Sequence, residues 1–137
     1  MRFHQRVPVR FRDLDAMGHV HHSVPLLYIE EARSAYWRAV AGRETVADID
    51  YLMGEVSLRY HRPIRYPDDI DVALRVSELG TKSFRMEYEV RSGTGELLVS
   101  GTSVQVLYDY TAGRSVPIPA TLRTRIEAYE SEGSRAS

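Results

Sequence analysis

The part of the chain that most constrains its fold is residues 55–108, where apolar and polar residues alternate in successive runs. Between Phe84 and Val90, for example, every second residue is apolar and the intervening ones are charged. Alternation of this kind predicts strands with one buried face. Turn-forming segments rich in Gly, Pro, Asp and Ser occur at 62–69, 79–82 and 92–96. We therefore predict three or four antiparallel strands here, with residues 97–108 as a long last strand.

A single long helix is predicted before these strands, at residues 24–41. Ser23 is a suitable N-cap, Pro25 is tolerated in the first turn, and Gly42 is a suitable stop. Apolar residues recur at helical spacing at Leu26, Ile29, Ala32, Tyr36 and Val40. Polar residues occupy the other positions at Glu30, Glu31, Arg33 and Arg38.

The ends of the chain complete the predicted domain. Residues 5–11 alternate, with Val7, Val9 and Phe11 on one face, and Pro8 makes this an edge or terminal strand. A short return near Ser115–Val116 and a helix opened by Pro119 follow the last long strand.

The predicted class is α+β, a curved antiparallel sheet wrapped around the long helix, which at ~25 Å matches the strands in length. We expect one domain over residues 1–131 and a disordered tail at 132–137.

Composition narrows the possible functions. The net charge of −1 argues against nucleic acid as the main partner. No apolar run approaches the ~20 residues of a membrane helix, and the N-terminal residues lack a signal-peptide core. The chain has no cysteine, which excludes a thiol nucleophile or a Cys-based zinc site. These features predict a cytoplasmic protein that does not act on membranes.

Candidate chemistry is concentrated in residues 11–23, FRDLDAMGHVHHS. A calcium loop is excluded because its fifth and twelfth positions would be Met17 and Val24. A zinc site built from His19, His21 and His22 is disfavoured, because adjacent histidines rarely point at one ion. We therefore predict no metal.

The same segment has the parts needed to polarise a carbonyl. A helix that starts near His22 leaves backbone N–H groups that can stabilise an oxyanion. Asp15 can attack directly or activate a water, and Gly18 permits a sharp turn or a close backbone approach. The alternative is a polar loop in which Asp13 and Asp15 form Asx turns. The residues alone leave both interpretations open.

Beyond these patterns, the sequence resembles a known family. FRDLDAMGHVHHSVPLLYIEEAR at 11–33 is similar to the signature of hotdog-fold acyl-CoA thioesterases of the 4-hydroxybenzoyl-CoA thioesterase and YbgC type. The similarity continues through 56–72, 79–90, 95–109 and 117–123. It implies a hotdog fold, and dimers with a shared active site that often pair into tetramers. The exposed sheet edge independently predicts at least a homodimer.

The resemblance also implies roles for individual residues. Asp15 matches the catalytic carboxylate, and His22 matches the helix-start position whose backbone N–H polarises the thioester. His21 is a candidate for the same position, but we favour His22. Asp13 is expected to orient the loop. The expected substrate-binding residues are Gly18, His19, Arg59, Arg62, Lys82 and Ser83, with Lys82 and the arginines near the coenzyme A phosphates.

The expected activity is hydrolysis of an acyl-CoA to a carboxylic acid and free coenzyme A, without a cofactor. The alternatives are a thioesterase acting on acyl carrier protein in lipid or polyketide synthesis, and a non-catalytic acyl-CoA-binding hotdog domain. An aspartate at position 15 favours hydrolysis, because a protein that only binds has no need of it.

Overall fold

The structure, a computed structural model, describes residues 1–43 and 50–136, with side chains to residue 132. These residues form two helices and six strands in a strand-first order that confirms the α+β hotdog prediction. The elements are β1 (Phe3–Pro8), a 3-10 turn (Phe11–Asp13), α1 (Pro25–Ala39), β2 (Tyr51–Tyr60), β3 (Asp69–Leu79), β4 (Ser83–Arg91), β5 (Leu97–Asp109), β6 (Arg114–Ser115) and α2 (Ala120–Ala136).

The strands form one antiparallel sheet in the order β1-β3-β4-β5-β2, with β6 paired to β5. The pairing places Tyr88 of β4 opposite Gly101 of β5, and Gly101 opposite Leu58 of β2. The predicted inward residues of β3 and β4 are buried, and their charged neighbours lie on the outer face. Strand β2 is different, because six of its ten residues in succession are exposed along the edge of the sheet.

Helix α1 supplies the centre of the core. Ile29, Ala32 and Tyr36 are fully buried, as the helical spacing predicts. Trp37 is also buried, and its ring stacks on Phe84 of β4 with centroids 5.2 Å apart and an interplanar angle of 8°. Burial of side chains of this size contributes roughly 2–3 kcal/mol each, so the helix is fixed firmly against the concave face of the sheet.

Both predicted ends of the helix need adjustment. It begins at Pro25 with Val24 as the N-cap, and Ser23 does not cap it. The Ser23 hydroxyl instead lies 2.8 Å from His21 Nδ1, so a local side-chain contact replaces the cap. The helix ends at Ala39, and Gly42 then adopts a φ of 76°, which confirms it as the residue at which the chain turns away.

The first strand is shorter than predicted. It ends at Pro8, and the Asp13 N–H bonds to the Arg10 carbonyl in a 3-10 turn. Val7 and Val9 are buried, but the turn leaves Phe11 74% exposed, so its assignment to the buried face was wrong.

Arg33 was wrongly placed among the polar positions of the helix. It is 5% exposed and lies in the core, where it donates hydrogen bonds to the hydroxyls of Tyr51 and Tyr88. Periodicity did not reveal this, because a long cationic side chain can be buried when hydroxyls accept its hydrogen bonds.

Helix α2 packs beside β3, and its Leu122 and Ile126 are buried in the same core as α1. The Glu130 carboxylate ties it in place, since it accepts hydrogen bonds from the Tyr36 hydroxyl at 2.8 Å and the Val76 N–H at 2.7 Å. The helix continues through Ala136 and so includes most of segment 132–137, whose composition predicts disorder. The domain boundary at residue 131 stays a prediction. Within the described ranges, no helix is long and apolar enough to cross a membrane.

We expect Gly101→Ala to destabilise the protein, because β2 and β5 approach too closely there for a side chain. A Cβ at this position would lie 2.5 Å from the Ser57 carbonyl oxygen and 2.5 Å from Leu58 Cδ2. The expected loss is ~1–3 kcal/mol of unfolding free energy, measured by urea denaturation. Gly93→Ala is the matched control, since its Cβ meets only the Asp69 carbonyl oxygen, at 3.7 Å. Equal stability of the two variants would contradict this packing.

Candidate active site

The acidic segment folds into a tight hairpin loop ahead of α1. The Asp15 N–H donates to the His19 carbonyl at 2.8 Å, and the Gly18 N–H donates to the Asp15 carbonyl at 3.1 Å. Leu14 and Val20 pair on either side of the turn. Gly18 adopts a φ of 84° and nothing lies within 4 Å of where its Cβ would be. The positive φ shows that Gly18 makes the sharp turn, as predicted.

The Asp15 carboxylate is held by the turn at one oxygen only. Oδ1 accepts the Met17 N–H at 2.8 Å and the His19 N–H at 3.4 Å, an Asx arrangement. In the described part of the chain, no group donates a hydrogen bond to Oδ2. The half-buried carboxylate is thus oriented through one oxygen, and the other is left for a ligand.

Asp13 anchors the loop to α1, as the sequence predicts. Its Oδ2 accepts the Tyr28 hydroxyl at 2.6 Å and the Arg10 N–H at 3.0 Å. Its carbonyl accepts the His21 N–H at 2.9 Å. Burial and the hydrogen bond to Asp13 raise the pKa of Tyr28, so the phenol stays protonated and keeps donating.

The turn before α1 presents a backbone donor at His22. The helix itself begins only at Pro25, so the predicted helix start near His22 was too early. The described residues contain no acceptor for the His22 N–H, while its carbonyl accepts the Tyr60 hydroxyl. Such an N–H can bind a developing oxyanion.

The two adjacent histidines are in different environments. His21 Nδ1 lies 2.8 Å from the Ser23 hydroxyl and accepts the Ser23 N–H at 3.2 Å, so it belongs to the turn. His22 is exposed, its ring lies 4.2 Å from that of His21, and it lines a cavity. This geometry supports the choice of His22 over His21.

A cavity of about 310 Å³ opens beside the helix start. Its wall is largely apolar and comes from the loop, the helix start and the segment after β2. The lining residues are Val20, His22, Pro25, Tyr60, His61, Arg62, Pro63, Ile64 and Val99. Asp15 is not among them and lies in the turn that the Leu14–Val20 pairing closes. Of the segment 60–64, Tyr60 was predicted in a strand, residues 62–64 in a turn, and only Arg62 as a binding residue. The polar and proline residues that end β2 were the missed signal.

The remaining predicted binding residues lie in different places. His19 is half-buried within the hairpin, and its backbone forms an isolated antiparallel β-bridge with that of Arg65. Arg62 lines the cavity, where an exposed ion pair to Glu96 at 3.8 Å constrains it little. Arg59 lines a separate depression of about 340 Å³ with Ser57, Glu87 and Thr102.

Lys82 and Ser83 are far from Asp15 and His22 within one chain. They lie at the turn after β3. The chain that leads into the loop lies at the opposite end of that strand, where the Val9 N–H donates to the Asp68 carbonyl just before β3 begins. The length of β3 separates the two ends by roughly 30 Å. The two groups can share one site only if a second subunit supplies one of them.

No group of three or more His, Cys, Asp or Glu side chains positioned to hold a metal ion occurs in residues 1–43 and 50–136.

Comparison with known proteins gives a consistent assignment. The family model of the thioesterase-like superfamily matches residues 9–126. A thioesterase from Thermus thermophilus, complexed with coenzyme A and zinc, is 36% identical, with a TM-score of 0.86 over 96% of this chain and 98% of that one. PA2801 from Pseudomonas aeruginosa, a putative thioesterase, is 27% identical, with a TM-score of 0.81 over 90% of this chain and 97% of its own.

A putative esterase of Aquifex aeolicus is 31% identical over 66% of this chain and 73% of its own. Since the family match spans the loop, the helix and the sheet, the chain belongs to the thioesterase-like superfamily and has its hotdog fold.

Proposed function

We propose that this thioester hydrolase acts on acyl-CoA, releasing a carboxylic acid and free coenzyme A. The observation that carries the proposal is that one short segment holds both a carboxylate oxygen on Asp15 and a backbone donor at His22 that have no partner among the described residues. Asp15 lies in the hairpin turn, and His22 follows Val20, which closes that hairpin, in the turn before α1. The similar Thermus thermophilus thioesterase, complexed with coenzyme A, supports coenzyme A as the carrier.

In the proposed reaction the thioester carbonyl oxygen accepts the His22 N–H. Asp15 Oδ2 either attacks the carbonyl carbon or takes a proton from a water that attacks it. The C–S bond breaks, the electron pair leaves with sulfur, and the coenzyme A thiolate is protonated. In the nucleophilic route, water then hydrolyses the mixed anhydride and restores Asp15. The His22 side chain assists proton transfer, and no metal or dissociable cofactor takes part.

The coenzyme A phosphates are proposed to lie near Arg62 and, across a subunit interface, near Arg59, Lys82 and Ser83. Gly18 and His19 shape the loop around the thioester. This arrangement requires at least a homodimer, and we propose a dimer of dimers in the cytoplasm.

Strand β2 is the proposed dimer edge. It is longer than β1, at ten residues against six, and pairs with β5 along only one side. It also exposes Leu52, Met53 and Val56 by about two-fifths each. An unpaired edge with apolar side chains is a template for a second strand.

Asp15→Asn is expected to lower kcat/KM by ~10²-fold or more, because an amide cannot attack or accept the proton. The turn should persist, since the Asn oxygen still accepts the Met17 N–H. The assay follows thiol release from a panel of short, long and aromatic acyl-CoAs. Asp109→Asn is the matched control, because Asp109 Oδ1 also accepts backbone N–H groups two and three residues ahead. A loss within about tenfold, well short of that expectation, would exclude Asp15 from the chemistry.

Tyr28→Phe is expected to lower kcat about threefold to tenfold with little change in KM, because it frees the loop that holds Asp15. Tyr36→Phe is the control, since it also removes a tyrosine–carboxylate hydrogen bond from α1 but at Glu130. Thermal melting is measured on both. If the two variants lose activity alike, in proportion to their loss of stability, then the Asp13–Tyr28 contact does not position the site.

Light scattering should give an even multiple of the chain mass. Val56→Lys, near the middle of β2, should shift the protein towards monomer, because a two-fold axis would bring the two lysines together. Ala128→Lys, on the exposed surface of α2, should leave the mass unchanged. A monomeric wild type would rule out the shared site.

A further inference from the structure

A buried polar cluster lies in the core beyond the cavity beside His22. Arg33 is 5% exposed and donates from Nε to the Tyr51 hydroxyl and from Nη1 to the Tyr88 hydroxyl, both at 3.2 Å. Tyr88 also contacts Ser103 and Gln105 of β5, which are 1% and 0% exposed. We call these five residues the Arg33 cluster.

The cluster carries a positive charge that has no carboxylate partner among residues 1–43 and 50–136. The guanidinium is permanently ionised and has five N–H groups, of which these bonds use two. None of the ion pairs within the described ranges involves Arg33. Glu30, about one turn earlier on α1, is exposed and is not hydrogen-bonded to it. A buried charge of this kind is stabilised when an anion reaches it.

Gln105 adds a second buried polar group whose hydrogen-bonding capacity is not fully used. Its Nε2 donates to the Tyr88 hydroxyl at 3.3 Å and contacts Ser103 Oγ, whereas its buried Oε1 has no hydrogen-bond partner in the part of the chain that the structure describes. Exchanging the two amide atoms leaves the same end unpaired, now as an NH₂ donor. The amide can therefore complete a site for an anionic oxygen.

The helix and the sheet connect this cluster to the cavity. Pro25 lines the cavity, and Arg33 is buried eight residues later on the same helix. That spacing equals ~12 Å, about the length of an eight- to ten-carbon chain. On β5, Val99 lines the cavity. Ser103 and Gln105 lie further along the same strand, on the same buried face as Val99.

A strip of partly exposed apolar side chains on β2 runs between the two, and in the proposed dimer this strip lies at the subunit interface. Tyr60 pairs with Val99, Val56 with Ser103 and Met53 with Gln105. These β2 side chains are 50%, 38% and 39% exposed. Met53 Sδ lies 3.8 Å from Gln105 Nε2, so the strip reaches the cluster.

We propose that the Arg33 cluster binds a carboxylate at the far end of the acyl chain, so that the enzyme prefers monothioesters of medium-length dicarboxylic acids. The inference rests on the proposed thioesterase function and names the substrate class of that site. The alkyl part lies along the β2 strip, and the terminal carboxylate accepts hydrogen bonds from Arg33 and from the turned Gln105 amide. A methyl-ended chain leaves both groups unpaired.

The test compares coenzyme A thioesters of equal length that differ only at the far end, octanedioyl against octanoyl and decanedioyl against decanoyl. The wild-type kcat/KM for the carboxyl-ended chain should exceed that for the methyl-ended chain by about tenfold or more. A ratio of one or below would overturn the inference.

Two variants test the residues through that ratio. Arg33→Met removes the charge, and Gln105→Glu places a carboxylate beside the guanidinium, so each should lower the ratio by about tenfold or more. A purely structural role would reduce both substrates alike and keep the ratio. If either variant fails to fold, the wild-type ratio remains decisive.

Failure of the inference is distinguishable from failure of the proposed function. Hydrolysis of methyl-ended and carboxyl-ended chains without preference overturns the carboxylate site and leaves the thioesterase proposal standing. Hydrolysis of no acyl-CoA overturns both.

Discussion

The burial of α1 against the concave face of the sheet is the constraint on which the rest of the structure depends. Trp37 stacked on Phe84, together with Ile29 and Tyr36, fixes the axis of the helix. The axis in turn fixes the helix N-terminus and the donor at His22. Asp13 then ties the preceding loop to the same helix through Tyr28, so the position of Asp15 is inherited from the core.

This dependence explains how a loop can hold reactive groups without being rigid in itself. The hairpin orients Asp15 through hydrogen bonds from backbone N–H groups to Oδ1. No side chain is needed for this, and among the described residues Oδ2 accepts no hydrogen bond. Tyr60 joins the end of β2 to the carbonyl of His22 and closes the same site from the sheet. Helix, loop and sheet therefore each contribute one contact to the candidate site.

Local patterns predicted most of the architecture because they record which face of an element is buried. The alternation from Phe84 to Val90 and the helical spacing of Ile29, Ala32 and Tyr36 are direct consequences of burial. Arg33 and Phe11 were misassigned for the opposite reason. Hydroxyls from distant strands allow Arg33 to be buried, and a 3-10 turn exposes Phe11. Neither cause is visible in the neighbouring residues. Likewise, the distance between Lys82 and Asp15 is set by the length and direction of β3. The sequence motifs around the two residues carry no information about it.

The most direct measurement is a crystal structure of the wild-type protein with a non-hydrolysable acyl-CoA analogue in which the thioester sulfur is replaced by a methylene group. We predict that the analogue's carbonyl oxygen accepts the His22 N–H at ~2.9 Å and that Asp15 Oδ2 faces the carbonyl carbon, directly or through one water. A carbonyl bound elsewhere, for example in the depression beside Arg59, with Asp15 facing solvent, would contradict the proposed mechanism.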